Sequence, residues 1–173
     1  MLMKTVYVRI ADLAALQGDG VLVTVGLGSC VGVALYDPKN KVAGLAHILL
    51  DNSERYIKPS TNHFNPAKFA DTAIPELIKD MESLGARRRN LVAHIAGGSS
   101  LFNFKFDGAG IGEKNLAEVR AKLDELGIPL QSENSGGNYG RTMKFYASTG
   151  KVEISTVSKG EKKSVTVPTN PAL

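Results

Sequence analysis

The run Val21-Leu-Val-Thr-Val25-Gly-Leu-Gly-Ser-Cys30, followed by Val31-Gly-Val-Ala-Leu-Tyr36, is two apolar, β-branched stretches separated by a glycine turn. Val21 to Val25 reads as a strand, Gly26 to Ser29 as a tight turn, and Val31 to Tyr36 as a second strand. A third apolar run, Val42-Ala-Gly-Leu-Ala-His47-Ile-Leu-Leu50, comes after Asp37-Pro38-Lys39-Asn40. In that link, proline suits the second position of a type I turn and asparagine tolerates a left-handed backbone. The early chain is therefore sheet, and the single cysteine stands at a corner between two of its strands.

With Asp37 to Asn40 as a four-residue loop, Tyr36 faces Lys41 and Cys30 falls directly opposite His47. Directly opposed residues share a face, with Cβ atoms about 5 Å apart. A three-residue loop pairing Asp37 with Lys41 would turn His47 to the other face, so the juxtaposition depends on register. Either residue alone is an ordinary core residue: free cysteine packs as a small hydrophobe, and a lone histidine in an apolar strand is usually satisfied locally. As a pair they have a chemistry. An imidazole facing a thiol takes its proton and later returns it to a leaving group, which is the minimum for acyl transfer through a thioester. Thr24, on the strand leading into the turn, is a candidate for orienting the imidazole through its hydroxyl.

Four further blocks extend the pattern: Ala46-His47, Ile95-Ala-Gly-Gly98-Ser-Ser-Leu-Phe102, Ser135-Gly-Gly-Asn138 and Arg141. Together with Gly26-Leu-Gly-Ser-Cys30, these resemble the CheD family of chemoreceptor glutamine deamidases. The resemblance runs in order from about Val6 to about Val157. It implies Cys30 as nucleophile, His47 as catalytic histidine and Thr24 as the assisting threonine. It also implies substrate contacts at Gly28, Ser29, Gly97 and Gly98, a partner-facing Phe102, chemoreceptors as substrates and the phosphatase CheC as a partner. No cofactor or metal is expected for such chemistry.

Composition agrees with a globular chain. Of 173 residues, 43% are hydrophobic and 22% charged, which suits one domain with a sizeable core. One cysteine cannot form an internal disulfide, no apolar run approaches the roughly 20 residues of a membrane span, and the N-terminus lacks a signal-peptide pattern. A reducing cytoplasm is the expected setting. The net charge of +4 is small. Its basic residues gather at Arg87 to Arg89 and around Lys159 to Lys163, without interleaved aromatics, which argues against nucleic acid.

Along the rest of the chain, Tyr7 to Ile10 reads as a strand and Asp51 to Asn65 as a polar loop bordering the site. Asn65 caps a helix with Pro66 at its first position, Phe69, Ala73, Leu77, Met81 and Leu84 form its core stripe, and Pro75 predicts a kink or restart. Gly85 closes that helix. Leu91 to Ala96 is a buried strand with His94 as a core residue, and Gly97-Gly98 is a tight corner whose amides are candidate oxyanion donors. A second helix spans about Gly112 to Leu126, Leu130 to Glu133 is a strand, and Thr142 to Ala147 with Lys151 to Val157 forms a terminal hairpin. Arg141 is a candidate carboxylate binder. Residues 1–157 form one catalytic domain and 158–173 a flexible tail.

About nine strands and two helices predict an α+β layered sandwich of mainly antiparallel strands. The resemblance adds an active-site layout like that of the cytotoxic necrotizing factor deamidases. Three functions follow: a cysteine-dependent glutamine amidohydrolase, with receptor methylesterase activity left open; a non-catalytic adaptor of CheC; and a nucleotide-binding enzyme suggested by the glycines of Gly26-Leu-Gly-Ser-Cys-Val-Gly32 and by Asp51 about 20 residues on. The last requires a helix after those glycines, and Val31 to Tyr36 is a strand.

Overall fold

The computed structural model describes residues 3–101, 110–158 and 161–167. Their ten strands form two five-stranded sheets. The first sheet contains β1 (Lys4–Tyr7), β3 (Gly20–Leu27), β8 (Arg141–Tyr146), β9 (Val152–Ser158) and β10 (Glu161–Val167), side by side in that order. The second has the order β2 (Asp12–Gln17), β5 (Val42–Ile48), β4 (Val31–Asp37), β6 (Val92–Gly97) and β7 (Leu130–Ser135). Only β1 with β3 and β6 with β7 pair in parallel. Helices α1 (Ala70–Ser83) and α2 (Ile111–Glu125) lie against the second sheet, and the first sheet packs on its other face. The expected α+β sandwich is what forms.

The layers follow from side-chain alternation. Val31, Val33 and Leu35 of β4 join Ile74, Leu77 and Met81 in the helix-side core. Ala34 and Tyr36 of the same strand enter the core between the sheets with Leu22 and Phe145. Every residue of β4, β5 and β6 is buried, since one face is under helices and the other under a sheet. That double burial is why these strands read as continuous apolar runs.

Four expectations need revision. The β4–β5 hairpin pairs Asp37 with Val42 and Gly32 with His47, so Pro38 to Lys41 is the loop, not Asp37 to Asn40. Lys41, not Asn40, takes the left-handed conformation, with φ 51°. The cause is Asp37. Its fully buried carboxylate accepts hydrogen bonds from the Lys39 and Asn40 amides, the Asn40 side chain, the Arg87 amide and Asn90, which keeps Asp37 on the strand.

Second, Asn65 caps only a 3₁₀ turn at Pro66–Lys68, accepting from the Ala67 amide. The interruption falls at Phe69, which is extended at φ −115° and ψ 142° and bridges to Leu50, and α1 then runs through Pro75. Anchoring the buried Phe69 in the core outweighs helix continuity. Proline in the second turn removes just one intrahelical bond. Third, β2 and the placement of the opening strand at Lys4–Tyr7 were not legible, because β2 is an edge strand of Asp, Leu, Ala and Gln with little β-branched content. Fourth, Glu161–Val167 pair with β9 as β10, where the sequence reading places a tail.

Candidate functional site

Thr24 and His47 meet across the core. Thr24 projects from β3 of one sheet and His47 from β5 of the other, both fully buried, with Thr24 Oγ1 2.7 Å from His47 Nδ1. The same hydroxyl donates to the Val8 carbonyl at 2.6 Å. A hydroxyl carries one proton, and with that proton on Val8 the oxygen can only accept from the ring. Nδ1 therefore bears the imidazole hydrogen and Nε2 the lone pair. Nε2 is buried and has no hydrogen-bond partner among the described residues.

Cys30 stands one residue before β4, 6% exposed, with its side chain in the inter-sheet core. Since Gly32 lies opposite His47, Cys30 is its diagonal neighbour and not its direct partner as the sequence register has it. The displacement is two residues, so parity is kept and both side chains enter the same layer. The thiol does not hydrogen-bond Nε2 in this structure. A resting enzyme commonly holds such a pair apart until substrate arrives.

Three successive carbonyls of the turn carrying Cys30, those of Gly28, Ser29 and Cys30, are held. Gly98 N–H donates to the Cys30 carbonyl and Ser99 N–H to that of Gly28, each at 2.8 Å. Asn115 Nδ2 donates to the Ser29 carbonyl at 2.9 Å and also to that of Leu49 at 3.0 Å. Gly97 is required for this contact: at φ 109°, a Cβ there would lie 2.2 Å from the Cys30 oxygen. The Gly97-Gly98 corner thus lies against the Cys30 turn, and the Gly98 amide is engaged by the Cys30 carbonyl rather than left free as an oxyanion donor.

Burial sets the protonation states. It pulls the His47 imidazole from 6.5 down to about 4, leaving a neutral base at neutral pH. Burial pushes the Cys30 thiol up, opposed in part by its own backbone amide, which favours the thiolate. The resting state is thiol plus imidazole, not an ion pair. Among the described residues, no cluster of three or more His, Cys, Asp or Glu is arranged to hold a metal.

Arg141, read as a carboxylate binder, is 2% exposed and bonds internally to Asn134, Ser99 and the Gly136 carbonyl, with its guanidinium stacked 4.5 Å from the Tyr139 ring. It ties the Gly136-Gly137 turn to the Ser99 loop. His94 is 1% exposed and bonds Ser132 through Nδ1, apart from Thr24 and His47. Phe102 lies outside the described residues. Sequence reasoning missed Val8, whose contribution is a main-chain carbonyl and leaves no side-chain signal. It also missed Asn115, which was legible as a polar residue four positions before Val119 in the apolar stripe of α2.

Comparison with known proteins gives the family. Residues 49–156 match the family model described as CheD chemotactic sensory transduction. A protein of Clostridium acetobutylicum named "Probable chemoreceptor glutamine deamidase CheD" is 49% identical over 162 residues, covering 92% of this chain and 95% of that protein. One of the same name from Clostridium botulinum strain Hall is 50% identical over 161 residues, covering 92% of this chain and 97% of its own. Matches of that length take in the Gly26–Cys30 turn and His47, which precede the family-model match. The chain belongs to the CheD family.

Proposed function

We propose that this chain hydrolyses glutamine side-chain amides of chemoreceptors to glutamate and ammonia, with Cys30 as nucleophile, His47 as acid–base and Thr24 as its orienting group. The observation that carries the reading is the Thr24 hydroxyl between Val8 and Nδ1, which leaves Nε2 as the free base of a buried, neutral imidazole. Nε2 takes the thiol proton as sulfur attacks the carboxamide carbon. The imidazolium then protonates the departing nitrogen, the C–N bond breaks and ammonia leaves a thioester. Water, deprotonated by the same Nε2, attacks the thioester, and the thiolate departs and is reprotonated, giving glutamate. The Cys30 amide is a hydrogen-bond donor at the attacking sulfur, and Gly28, Ser29, Gly97 and Gly98 border the carboxamide.

The names of the relatives supply the substrate class, and the thiol–imidazole pair supports the chemistry. A cytoplasmic location is part of this reading, and no helix among the described residues is long and apolar enough to cross a membrane. CheC, implied by the resemblance, is the second partner of the reading, with Phe102 as its contact.

The test is incubation with a chemoreceptor cytoplasmic fragment, following ammonia release and the Gln-to-Glu mass change for wild type, Cys30→Ala and His47→Ala. Wild type converts particular glutamines, Cys30→Ala converts none, and His47→Ala is slower by about 10²- to 10⁴-fold. Equal ammonia from Cys30→Ala would sink the mechanism. Phe102→Ala is expected to lose CheC binding while still deamidating.

A further inference from the structure

Because Cys30 lies outside β4 and diagonal to His47, strand pairing alone does not set the separation of thiol and imidazole. We propose that Asn115 is the positioning residue that locks the nucleophile turn to the His47 strand, donating both protons of one amide nitrogen across the gap between them. This rests on the reading of Cys30 and His47 as the reacting pair. The carbonyls it holds belong to Ser29, immediately before the thiol, and Leu49, two residues beyond the imidazole.

The carboxamide can face only one way, since two carbonyls can be satisfied by the nitrogen end alone. Its Oδ1 is consequently left buried without a partner among the described residues, and Asn115 as a whole is 1% exposed. A stranded carbonyl in the interior is unfavourable. Leucine at this position would extend the apolar stripe of Leu116, Val119 and Leu123 with no such penalty. What distinguishes asparagine here is its donor end.

The other ties of the turn, from Gly98 and Ser99, lead to the end of β6 and not to β5. Asn115 joins both arms through one side chain. Its helix is a firm base. A Cβ at Gly112 would lie 2.5 Å from the Gly98 and Ser99 carbonyls, and Leu116 fills the space beside Gly98, so α2 cannot shift independently of the corner.

Asn115→Leu and Asn115→Asp test the proposal on a chemoreceptor fragment and, independently of any substrate, through the rate at which iodoacetamide alkylates Cys30 at neutral pH. The Leu variant leaves the Ser29 and Leu49 carbonyls without this donor, so it melts lower but stays folded at the assay temperature, loses about 10²-fold in kcat with KM unchanged, and is alkylated several-fold faster as the turn loosens. The Asp variant sets a carboxylate against two carbonyls and is slow at alkaline pH. It regains part of its kcat as the pH is lowered, because the neutral acid has one donor again, a rise absent from wild type. Wild-type kcat and alkylation in Asn115→Leu overturn the proposal, as does a loss carried wholly by KM. Should the Leu variant not fold, a pH-independent kcat in Asn115→Asp overturns it. If wild type itself releases no ammonia, the reading of the pair fails, and the alkylation rates still decide whether Asn115 holds the turn.

Discussion

Thr24 has one hydroxyl proton and two neighbours, and the Val8 carbonyl takes the proton. That allocation makes the imidazole tautomer a property of the fold. Thr24→Val, nearly the same shape, removes both hydrogen bonds and frees the ring to adopt either tautomer. The expected loss is on the order of 10²-fold in kcat, with nitrogen chemical shifts of His47 showing a mixed tautomer in place of a single one. Unchanged kcat would assign the hydroxyl to packing alone. Burial of the ring gives a second expectation at this scale. The base form of His47 persists down to about 4, so the acid limb of the kcat profile lies well below the 6.5 of an ordinary imidazole. A half-maximal rate near 6.5 would contradict it.

The β4–β5 hairpin and the end of β6 show how elements deliver those residues. Asp37 is satisfied by main-chain and side-chain donors from its own loop and from the Arg87–Asn90 segment. Burial raises its carboxyl, but the hydrogen bonds from Asn40, Arg87 and Asn90 outweigh that and hold it below the ordinary value. Asp37→Ala strands those donors and removes the pin on the register, for a loss of about 3 kcal/mol in urea unfolding at neutral pH. The contribution of Asp37 is present above the unfolded carboxyl's pKa and is lost as the pH falls through the lower folded value, so the variant and wild type converge in acid. At the other edge of the site, Gly97→Ala drives a methyl into the Cys30 carbonyl at a backbone angle that alanine resists. Deamidation is expected to fall about 10²-fold. Retained activity in that variant would show that the corner tolerates displacement.

For the whole molecule, the layer between the sheets is where two histidines lose their charge. Burial brings His47 and His94 each to about 4, against 6.5 unfolded. Between those values the unfolded chain binds protons that the folded chain refuses, so stability falls as the pH drops from 6.5 toward 4 and is level above it. The loss is up to about 3 kcal/mol per histidine. Urea midpoints across this range measure it, and His94→Gln, which keeps a polar group near Ser132, removes about half of the dependence. A flat midpoint over the interval would mean that the rings are solvated.

Local patterns in the sequence determined the strand identities of Val21–Val25, Val31–Tyr36 and Val42–Leu50, the closing glycines of both helices and the sandwich class, because side-chain period and turn chemistry act over a few residues. They also brought Cys30 and His47 forward as a pair, since parity along a strand survives a register error of two; Thr24 came forward through the family resemblance, and the packing of one sheet on the other sets it against His47. Tertiary structure alone decided the register itself, which follows from where the buried Asp37 carboxylate finds its donors, some of them about 50 residues away along the chain. It likewise decided the restart of α1 after Phe69, the engagement of Arg141 inside the molecule, and the bridge from Asn115 to Ser29 and Leu49. Each of these depends on which polar groups are left to satisfy one another once the sheets and helices have closed, and burial of that kind is a property of the assembled layers.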